Sequence, residues 1–320
     1  MVNTAKPRFV ARTVDPQHVT ALQQEGISPG MARILAGRGI ETAESLVYDL
    51  RKAIPVSKLT NAEKMAKHLA DKIQAGHKFL LVADYDSDGA TSCAIGIRAM
   101  RAFGANIEFM VPNRFVHGYG LTPEIIQEVI AKGEKPDCIL TVDNGVASVA
   151  GVAEANKNGI KVLVTDHHLA GDTMPDAECI VNPNQPGCDF PSKNLAGCGV
   201  IFYCMLALKK ELTDRKWFDT HPNFNLMELM DYVALGTVAD VVKLDDNNRR
   251  LVAVGLERMR KGLAHPGIKA IMEVAGCKIE EANSMHMGFN VGPRLNAAGR
   301  LDDMSIGISC LLADDDQEAT

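Results

Sequence analysis

Acidic and imidazole side chains gather in a few short segments of this chain, at spacings that suit metal chemistry. Six of them form the set considered first: Asp84, Asp86, Asp88, Asp143, His167 and His168. Carboxylates and imidazoles are ligands for a hard or borderline divalent ion such as Mn²⁺ or Mg²⁺, and these carboxylates are numerous enough to bridge two ions. The set contains no cysteine, which disfavours a structural zinc site. Carboxylates this close in a fold repel one another, and a metal is the simplest neutraliser.

Taken singly, these motifs also have ordinary explanations. The run Asp84–Gly89 fits a calcium-type acidic loop or a helix-capping turn. The segment Asp143–Gly145 by itself is an ordinary turn sequence. Adjacent histidines directly after a buried strand are harder to explain without a partner. Because all three motifs follow predicted strands, a common site is the favoured interpretation.

Two later segments carry further candidates. Asp240 stands in the apolar stretch Gly236–Val242, where an ionised carboxylate is costly unless it is paired or bound to metal. The alternative for Asp240 is a helix cap or a buried ion pair. The segment Gly288–Arg300 combines glycines with two arginines, which suits close approach to a phosphate and bidentate contacts. Such segments are also often loops with solvated charges, so this spacing alone is a weak signal.

The elements that must position these side chains follow a β-α-β-α pattern. Short, largely apolar runs, typical of strands buried in a parallel sheet, lie at Phe79–Ala83, Ile107–Val111, Cys138–Val142 and Val162–Thr165, and the first of them is uninterrupted. Helix-sized segments separate them, so we expect an α/β fold with a parallel β-sheet flanked by helices. Each strand ends in polar side chains, and the ligand crevice of an open parallel sheet lies outside the carboxyl ends of its strands. The sequence therefore predicts one crevice for the whole set.

Helix signals complete the predicted organisation. Thr60–Glu63 is a capping-box sequence before the first strand, and Pro123 follows a capping Thr122. Residues 174–193 read as a loop, and later helices are predicted at Leu195–Leu212, Leu226–Leu235, Arg249–Arg260 and Gly267–Ala275. We expect three regions: an N-terminal helical appendage at 1–55, a catalytic α/β domain at 56–245, and a helical extension at 246–320 that leads to a missing second domain.

Composition narrows the function classes. The 320 residues are 46% hydrophobic and 23% charged, as in ordinary soluble globular proteins. The net charge of −6 does not indicate a polyanionic partner, so any nucleic-acid contact must be local. Eight cysteines without a Cys-x-x-Cys pair are expected to be reduced thiols. No run approaches the ~18 apolar residues of a membrane span, and a cytoplasmic location is expected.

In this order, these segments resemble the DHH phosphoesterase superfamily. The resemblance covers the chain from about Phe79 to its end. It is carried by Asp84–Ser92, Val111–Phe115, Gly118–Leu121, Val142–Gly145, Val164–Leu169, Val181–Asn184, Ala234–Val242 and Gly292–Leu301. The first, fourth and fifth of these define the superfamily. The last one is similar to a segment of its bacterial single-strand-specific exonucleases.

The resemblance implies a ligand set and an activity. Two Mn²⁺ or Mg²⁺ ions would be held by Asp84, Asp86, Asp88, Asp143, His167 and Asp240. Asp143 would bridge the ions, and His168 would face the scissile phosphate. The expected catalytic residues are Asp143, His168 and Asp86. Five side chains are expected to bind phosphate or DNA: Arg114, His168, Arg294, Asn296 and Arg300. The implied activity is stepwise 5′-to-3′ hydrolysis of single-stranded DNA in recombination and repair in the bacterial cytoplasm. A single-strand-binding protein and a RecQ-like helicase are the implied partners, and no membrane is involved.

The sequence departs from the superfamily pattern in two ways, and two alternative functions are considered. Many superfamily members have a histidine at the position of Val82, so one metal must be coordinated differently here. The chain also ends in what reads as the middle of a helical region, as in a truncated catalytic core. One alternative is a small-nucleotide or cyclic-dinucleotide phosphodiesterase, against which the segment Gly292–Arg300 argues. The other is a non-catalytic DNA-binding scaffold, which would be expected to have lost ligands that this sequence keeps.

Overall fold

A computed structural model describes residues 10–113, 117–301 and 304–319 of the chain. The chain forms two compact units, Met1–Asp49 and Leu50–Thr320. The first unit contains helices α1 (Pro16–Gln24) and α2 (Pro29–Ala36) around a small apolar core. Each of these helices begins with proline, whose fixed φ suits the first helical position. The predicted region boundaries at residues 55 and 245 stay predictions.

The second unit is built on a five-stranded sheet in which every strand pair is parallel. Its strands are β1 (Lys78–Ala83), β2 (Asn106–Met110), β3 (Cys138–Val142), β4 (Lys161–Thr165) and β5 (Cys179–Val181). The predicted α/β fold with a helix-flanked parallel sheet is confirmed. The first four strands lie within one residue of their predicted ends. β5 was not predicted, because its three residues lie in a proline- and asparagine-rich stretch that reads as a loop.

Ten helices of the described residues accompany the sheet. They are α3 (Ala62–Gln74), α4 (Ser87–Ala102), α5 (Pro123–Ala131), α6 (Val149–Lys157), α7 (Gly197–Asp214), α8 (Met230–Ala239), α9 (Asp246–Arg260), α10 (Pro266–Val274), α11 (Gly292–Leu301) and α12 (Met304–Leu312). Successive strand residues face opposite sides: Leu81 belongs to the larger apolar core, with α3, α4 and α7, and Val82 to a second core, with α5 and α6. Val82 is therefore a core residue on the face of the sheet that packs against α5 and α6.

The strand order places a ligand crevice between β1 and β3. The order is β2-β1-β3-β4-β5, so the chain leaves β1 toward one edge and returns on the other side of β1 to form β3. In doubly wound sheets of this order, ligands bind at that switch point, outside the carboxyl ends of the strands. The residues after β1 and after β3 begin with Asp84 and Asp143, which are both buried.

One local prediction was wrong. The helix after Thr60 does not use a capping box: it begins at Ala62, and its N-cap Asn61 has a φ of 68° and donates its side-chain amide to the Ile180 carbonyl at 2.9 Å. The segment Gly292–Arg300 is part of helix α11, which follows a π-helical turn at His286–Val291, and its phosphate-binding role stays a prediction. Among the described helices, none is both long and apolar enough to span a membrane.

Candidate metal centre

The acidic loop Asp84–Asp88 joins β1 to the start of α4. Asp86 is the N-cap of α4, and its Oδ1 accepts the backbone N–H groups of Asp88 at 2.9 Å and Gly89 at 3.0 Å. Helix starts leave such N–H groups without intrahelical partners, which is why an aspartate is favoured at this position. Because both capping bonds use Oδ1, the second carboxylate oxygen of Asp86 is available as a ligand.

Asp88 is fixed by the first turn of α7. Its Oδ2 accepts the N–H of Gly197 at 2.6 Å, and its Oδ1 accepts the N–H of Cys198 at 2.9 Å. The side chain is fully buried, and the positive end of the α7 dipole stabilises its charge. The same helix start lies close to the residue after β3, because a Cβ added to Gly197 would be 2.4 Å from Asp143 Oδ1. The start of α7 therefore contacts two carboxylates that come from different strands.

Asp143 follows β3 in a backbone conformation that few residues adopt. Its φ is 60°, in the left-handed region that aspartate and asparagine tolerate better than other side chains. The next residue secures this turn, since the side-chain amide of Asn144 donates to the carbonyls of Val142 at 2.9 Å and Val82 at 3.1 Å. The turn is thus bonded to β1 as well as to β3, and it holds Asp143 at the switch point.

His167 and His168 follow β4 and are held by the residue before them. Asp166 Oδ1 accepts the backbone N–H groups of His167 at 2.7 Å and His168 at 3.0 Å and lies 2.8 Å from His168 Nδ1. Two asparagines from the turn after β5 bind the carbonyl oxygens: Asn184 that of His167 at 2.6 Å, and Asn182 that of His168 at 2.9 Å. Both imidazole rings are therefore held through their backbone.

The predicted ligands converge around His167 Nε2. This atom lies 3.1 Å from Asp143 Oδ1, 3.6 Å from Asp240 Oδ2 and 3.9 Å from Asp88 Oδ2. Asp240 is the C-cap of α8, which brings it to the cluster from the second half of the chain. Three buried atoms, Asp143 Oδ1, His167 Nε2 and Asp240 Oδ2, make no hydrogen bond within the described residues. Buried polar atoms without partners are costly, so three of them aimed at one point indicate a cation site.

Three overlapping groups of side chains have ligand atoms within 4.8 Å of one another. They are Asp84, Asp86 and Asp143; Asp88, His167 and Asp240; and Asp143, His167 and His168. The structure thus brings together all six predicted metal ligands. Asp143 belongs to two groups, as a bridging ligand must. The donor set of carboxylates and imidazoles fits two hard or borderline divalent ions.

The carboxyl groups of Asp84, Asp143 and Asp240 resist ionisation. Burial, followed by the charge of Asp86, raises the pKa of Asp84 to about 7. Burial and the charges of Asp88 and Asp86 raise the pKa of Asp240 to about 8. The pKa of Asp143 is raised well above its ordinary value, first by burial and then by its carboxylate neighbours. A bound cation removes this penalty, because opposite charge favours the ionised form.

His168 and Asp166 form a pair of opposite charges beside the cluster. The hydrogen bond to Asp166 is the main reason why the pKa of His168 is raised to about 9, despite partial burial. Burial alone would raise the pKa of Asp166, but hydrogen bonds from His168 and from the backbone of Val146 outweigh it and lower the pKa. His168 is 43% exposed and is an imidazolium at neutral pH, so its charge is accessible to a ligand.

Sequence reasoning missed several residues of this site. Asp166 stands first in the run Asp-His-His, but its bonds to backbone N–H groups leave no mark in a sequence. The Tyr119 hydroxyl lies 3.3 Å from His168 Nδ1, and its ring packs edge-on against the rings of His168 and Tyr85. A Gly-Tyr-Gly turn after the second strand was the available signal. Asn184 was missed together with β5.

The residues expected to bind DNA lie in different places. The exposed guanidinium of Arg294 donates to the Asn290 carbonyl at 2.8 Å, and its side chain lines an apolar groove of about 620 Å³ between α10, α11 and α12. Asn296 lies at the acidic loop, where its Oδ1 accepts from Ser87. Arg114 and the side chain of Arg300 lie outside the described residues. The DNA-binding roles of all four stay predictions.

A comparison with models of protein families identifies the family of this chain. The profile described as "DHH family, N-terminal domain" matches residues 78–237, which is half of the chain. The chain belongs to the DHH family. The match runs from β1 through most of α8, so it includes the strands and loops that carry all of the cluster except Asp240. The sequence-based resemblance to this family is confirmed.

Curated members of the DHH family extend the match beyond that domain. The chain is 50% identical over 296 residues to the single-stranded-DNA-specific exonuclease RecJ of Escherichia coli (strain K12), covering 92% of this chain and 51% of that protein. It is 35% identical over 320 residues to the protein of the same name in Bacillus subtilis (strain 168), covering 98% of this chain and 39% of that one. The chain thus spans about half of the length of such relatives, or less.

Solved structures of exonuclease RecJ are also similar to this chain. A crystal structure of exonuclease RecJ bound to manganese matches with a TM-score of 0.71 and 34% identity over 82% of this chain and 63% of that one. RecJ from Thermus thermophilus in complex with Mn²⁺ matches with a TM-score of 0.76 and 30% identity over 95% of this chain and 41% of that one. Both comparisons cover the α/β fold described above.

Proposed function

We propose that this chain is the nuclease core of a metal-dependent exonuclease that hydrolyses single-stranded DNA stepwise from its 5′ end, in recombination and repair. The observation that carries the proposal is the convergence of Asp143 Oδ1, His167 Nε2 and Asp240 Oδ2, three buried and unpartnered ligand atoms of the described residues, at the switch point of the sheet. The relatives named as single-stranded-DNA-specific exonucleases support the choice of substrate.

The cofactor of this proposal is a pair of Mn²⁺ or Mg²⁺ ions. The residues that would hold them are Asp84, Asp86, Asp88, Asp143, His167 and Asp240. Similar proteins have been solved with manganese or magnesium, which supports these metals. Bound ions in such a site lower the pKa of water and stabilise charge on a phosphodiester.

Three side chains have further roles in the proposed reaction. Asp143, which belongs to two ligand groups, would be shared between the two ions. His168, held as an imidazolium by Asp166, is the group that donates a hydrogen bond to a phosphoryl oxygen, and fixed donors of this kind stabilise charge that develops during the reaction. Tyr119, which is 45% exposed beside His168, offers an aromatic face for a base or sugar.

The rest of the substrate contacts belong to the same proposal. Arg114, Arg294 and Arg300 are assigned to the DNA backbone, because guanidinium groups bind phosphate oxygens bidentately. Single-stranded DNA is the proposed partner, with a single-strand-binding protein and a RecQ-like helicase as proposed protein partners. The proposed location of the enzyme, which follows from this substrate, is the cytoplasm of a bacterial cell.

The test is release of mononucleotides from 5′-phosphorylated single-stranded DNA with Mn²⁺. The wild type is compared with Asp143→Asn, which retains shape and tolerance of the left-handed backbone, and with Asp172→Asn, an exposed carboxylate outside the cluster. We expect release by the wild type and Asp172→Asn, and only the level seen with chelator for Asp143→Asn.

Three controls define the substrate. A strand without an accessible 5′ end and an intact duplex should both resist, whereas a strand blocked at its 3′ end should be degraded. Hydrolysis of short dinucleotides without degradation of longer strands would replace the proposal by a small-nucleotide phosphodiesterase. Tight Mn²⁺ binding without any hydrolysis would contradict a catalytic role for this chain.

A further inference from the structure

Helix α11 lies directly against the acidic loop. Asn296 Oδ1 is 2.7 Å from the backbone nitrogen of Ser87 and 2.7 Å from its hydroxyl oxygen, and that hydroxyl is also 3.0 Å from the Gly292 carbonyl. One turn further along α11, a Cβ added to Gly299 would be 2.2 Å from the carbonyl oxygen of Tyr85. The last third of the chain thus contacts the loop at two of its five residues.

The hydrogen bond to the Ser87 N–H has a specific consequence for the loop. Ser87 is the first residue of α4, so its N–H has no partner inside the helix. Asp86 accepts the next two N–H groups but not this one. Because Ser87 is 1% exposed, water does not replace the missing partner. Asn296 supplies the acceptor, and without it this buried N–H would be left unpaired, which is costly.

The loop also needs an external restraint because of its charges. It carries Asp84, Asp86 and Asp88 within five residues, and their carboxylates are buried together with Asp143. Ionised carboxylates this close repel one another until cations bind, and this repulsion opposes the metal-binding arrangement of the loop. Ser87 stands between two of these aspartates, so a bond at Ser87 restrains both.

We propose that Asn296 is a positioning residue of the metal centre: it binds Ser87 and thereby holds the acidic loop in the arrangement that binds metal. Its Oδ1 accepts two hydrogen bonds from the loop, and this contact is the one on which the positioning role rests. The link to catalysis rests on the proposed function, whereas the link to metal binding does not. Residues that orient ligands in this way typically contribute about 10–100-fold to metal affinity.

Calorimetric titration of the whole chain with MnCl₂, without DNA, tests this role. We expect Asn296→Ala to weaken Mn²⁺ binding by about tenfold or more, as for other groups that orient metal ligands. Asn296→Asp keeps an acceptor oxygen for Ser87 and should restore the affinity. Asn156→Ala is the matched control, because it removes an exposed asparagine side chain outside the cluster and should leave Mn²⁺ binding unchanged.

The outcomes separate the proposals. Wild-type Mn²⁺ affinity in Asn296→Ala would overturn the positioning role, as would equal losses in Asn296→Ala and Asn156→Ala. If melting in chelator shows that Asn296→Ala does not fold, Asn296→Leu decides, since it has a similar volume but no acceptor for the Ser87 N–H: weaker Mn²⁺ binding supports the role and unchanged binding overturns it. A wild type that binds Mn²⁺ but degrades no DNA would contradict the proposed function alone.

Discussion

Substituting Gly197 by alanine should disrupt the metal centre without changing any ligand. The new Cβ would lie 2.4 Å from Asp143 Oδ1 and 2.7 Å from Asp143 Cγ. An ordinary contact begins at 3.4 Å, so the two groups must separate by 3.4 − 2.4 = 1.0 Å. Asp143 is held by the turn after β3, and Gly197 is held by its 2.6 Å bond to Asp88. Whichever side moves, a ligand carboxylate is displaced.

The size of this displacement determines how far Mn²⁺ binding and stability fall. Metal–ligand distances tolerate deviations of about 0.2 Å, so a shift of 1.0 Å removes Asp143 or Asp88 from coordination. Overpacking costs about 1–3 kcal/mol, whereas replacing a helical glycine by alanine gains about 1 kcal/mol. The net loss of stability is therefore about 0–2 kcal/mol, and a protein of this size remains folded. Mn²⁺ binding should fall by at least about tenfold, or 1.4 kcal/mol.

The matched control lies two residues further along α7. A Cβ at Gly199 would also be 2.4 Å from its nearest neighbour, but that neighbour is Cδ1 of Leu195, with Cγ at 2.9 Å, and this apolar side chain is not one of the predicted ligands. We expect Gly199→Ala to bind Mn²⁺ like the wild type in calorimetric titration and Gly197→Ala to bind weakly, with similar melting temperatures in chelator. Equal Mn²⁺ affinities for the two variants would show that the start of α7 does not control the position of the ligands.

Three other outcomes follow from the charges and contacts of the site. Asp84 and Asp240 have raised pKa values of about 7 and about 8, so below these values the metal-free folded state binds more protons than the unfolded state. The melting temperature of the metal-free protein should therefore fall as pH rises through 7 and 8. Mn²⁺ should then stabilise the protein more at pH 8 than at pH 6, and an equal shift at both would contradict the assignment. Asp166→Asn should lower the pKa of His168 from about 9 toward about 6.5, so hydrolysis should be lost selectively in the upper half of a pH 6–9 rate profile. Tyr119→Leu should raise KM for single-stranded DNA more than it lowers kcat, since base stacking contributes about 1–3 kcal/mol per base to binding; an unchanged KM would exclude stacking.

The sequence predicts which acidic and imidazole side chains come together, because their signal is local. Each of Asp84, Asp143 and His167 follows a run of apolar residues long enough to be a buried strand, and parallel strands bring their carboxyl ends to one edge of the sheet. This rule predicts that these side chains lie close together even when the distances between them are not known. Asp240 was found differently, as a carboxylate in an apolar stretch, and the structure places it at the cluster as the C-cap of α8.

The supporting contacts were not predictable, because they are bonds between side chains and distant backbone groups. Asp88 accepts from the start of α7, more than a hundred residues later in the chain. Asn296 was expected to contact DNA, and its bond to Ser87 follows from the packing of α11 on the acidic loop, which no periodicity reports. The strand β5 is too short for an apolar run to be recognised.

The metal centre itself can be observed in a crystal of the chain grown with Mn²⁺ and measured at the manganese absorption edge. We predict two anomalous peaks, one among Asp84, Asp86 and Asp143 and one among Asp88, His167 and Asp240, with Asp143 contacting both. Asp143→Asn should lose at least one peak. Peaks remote from these side chains, or a pair of ions that Asp143 does not touch, would contradict a two-ion centre bridged by Asp143.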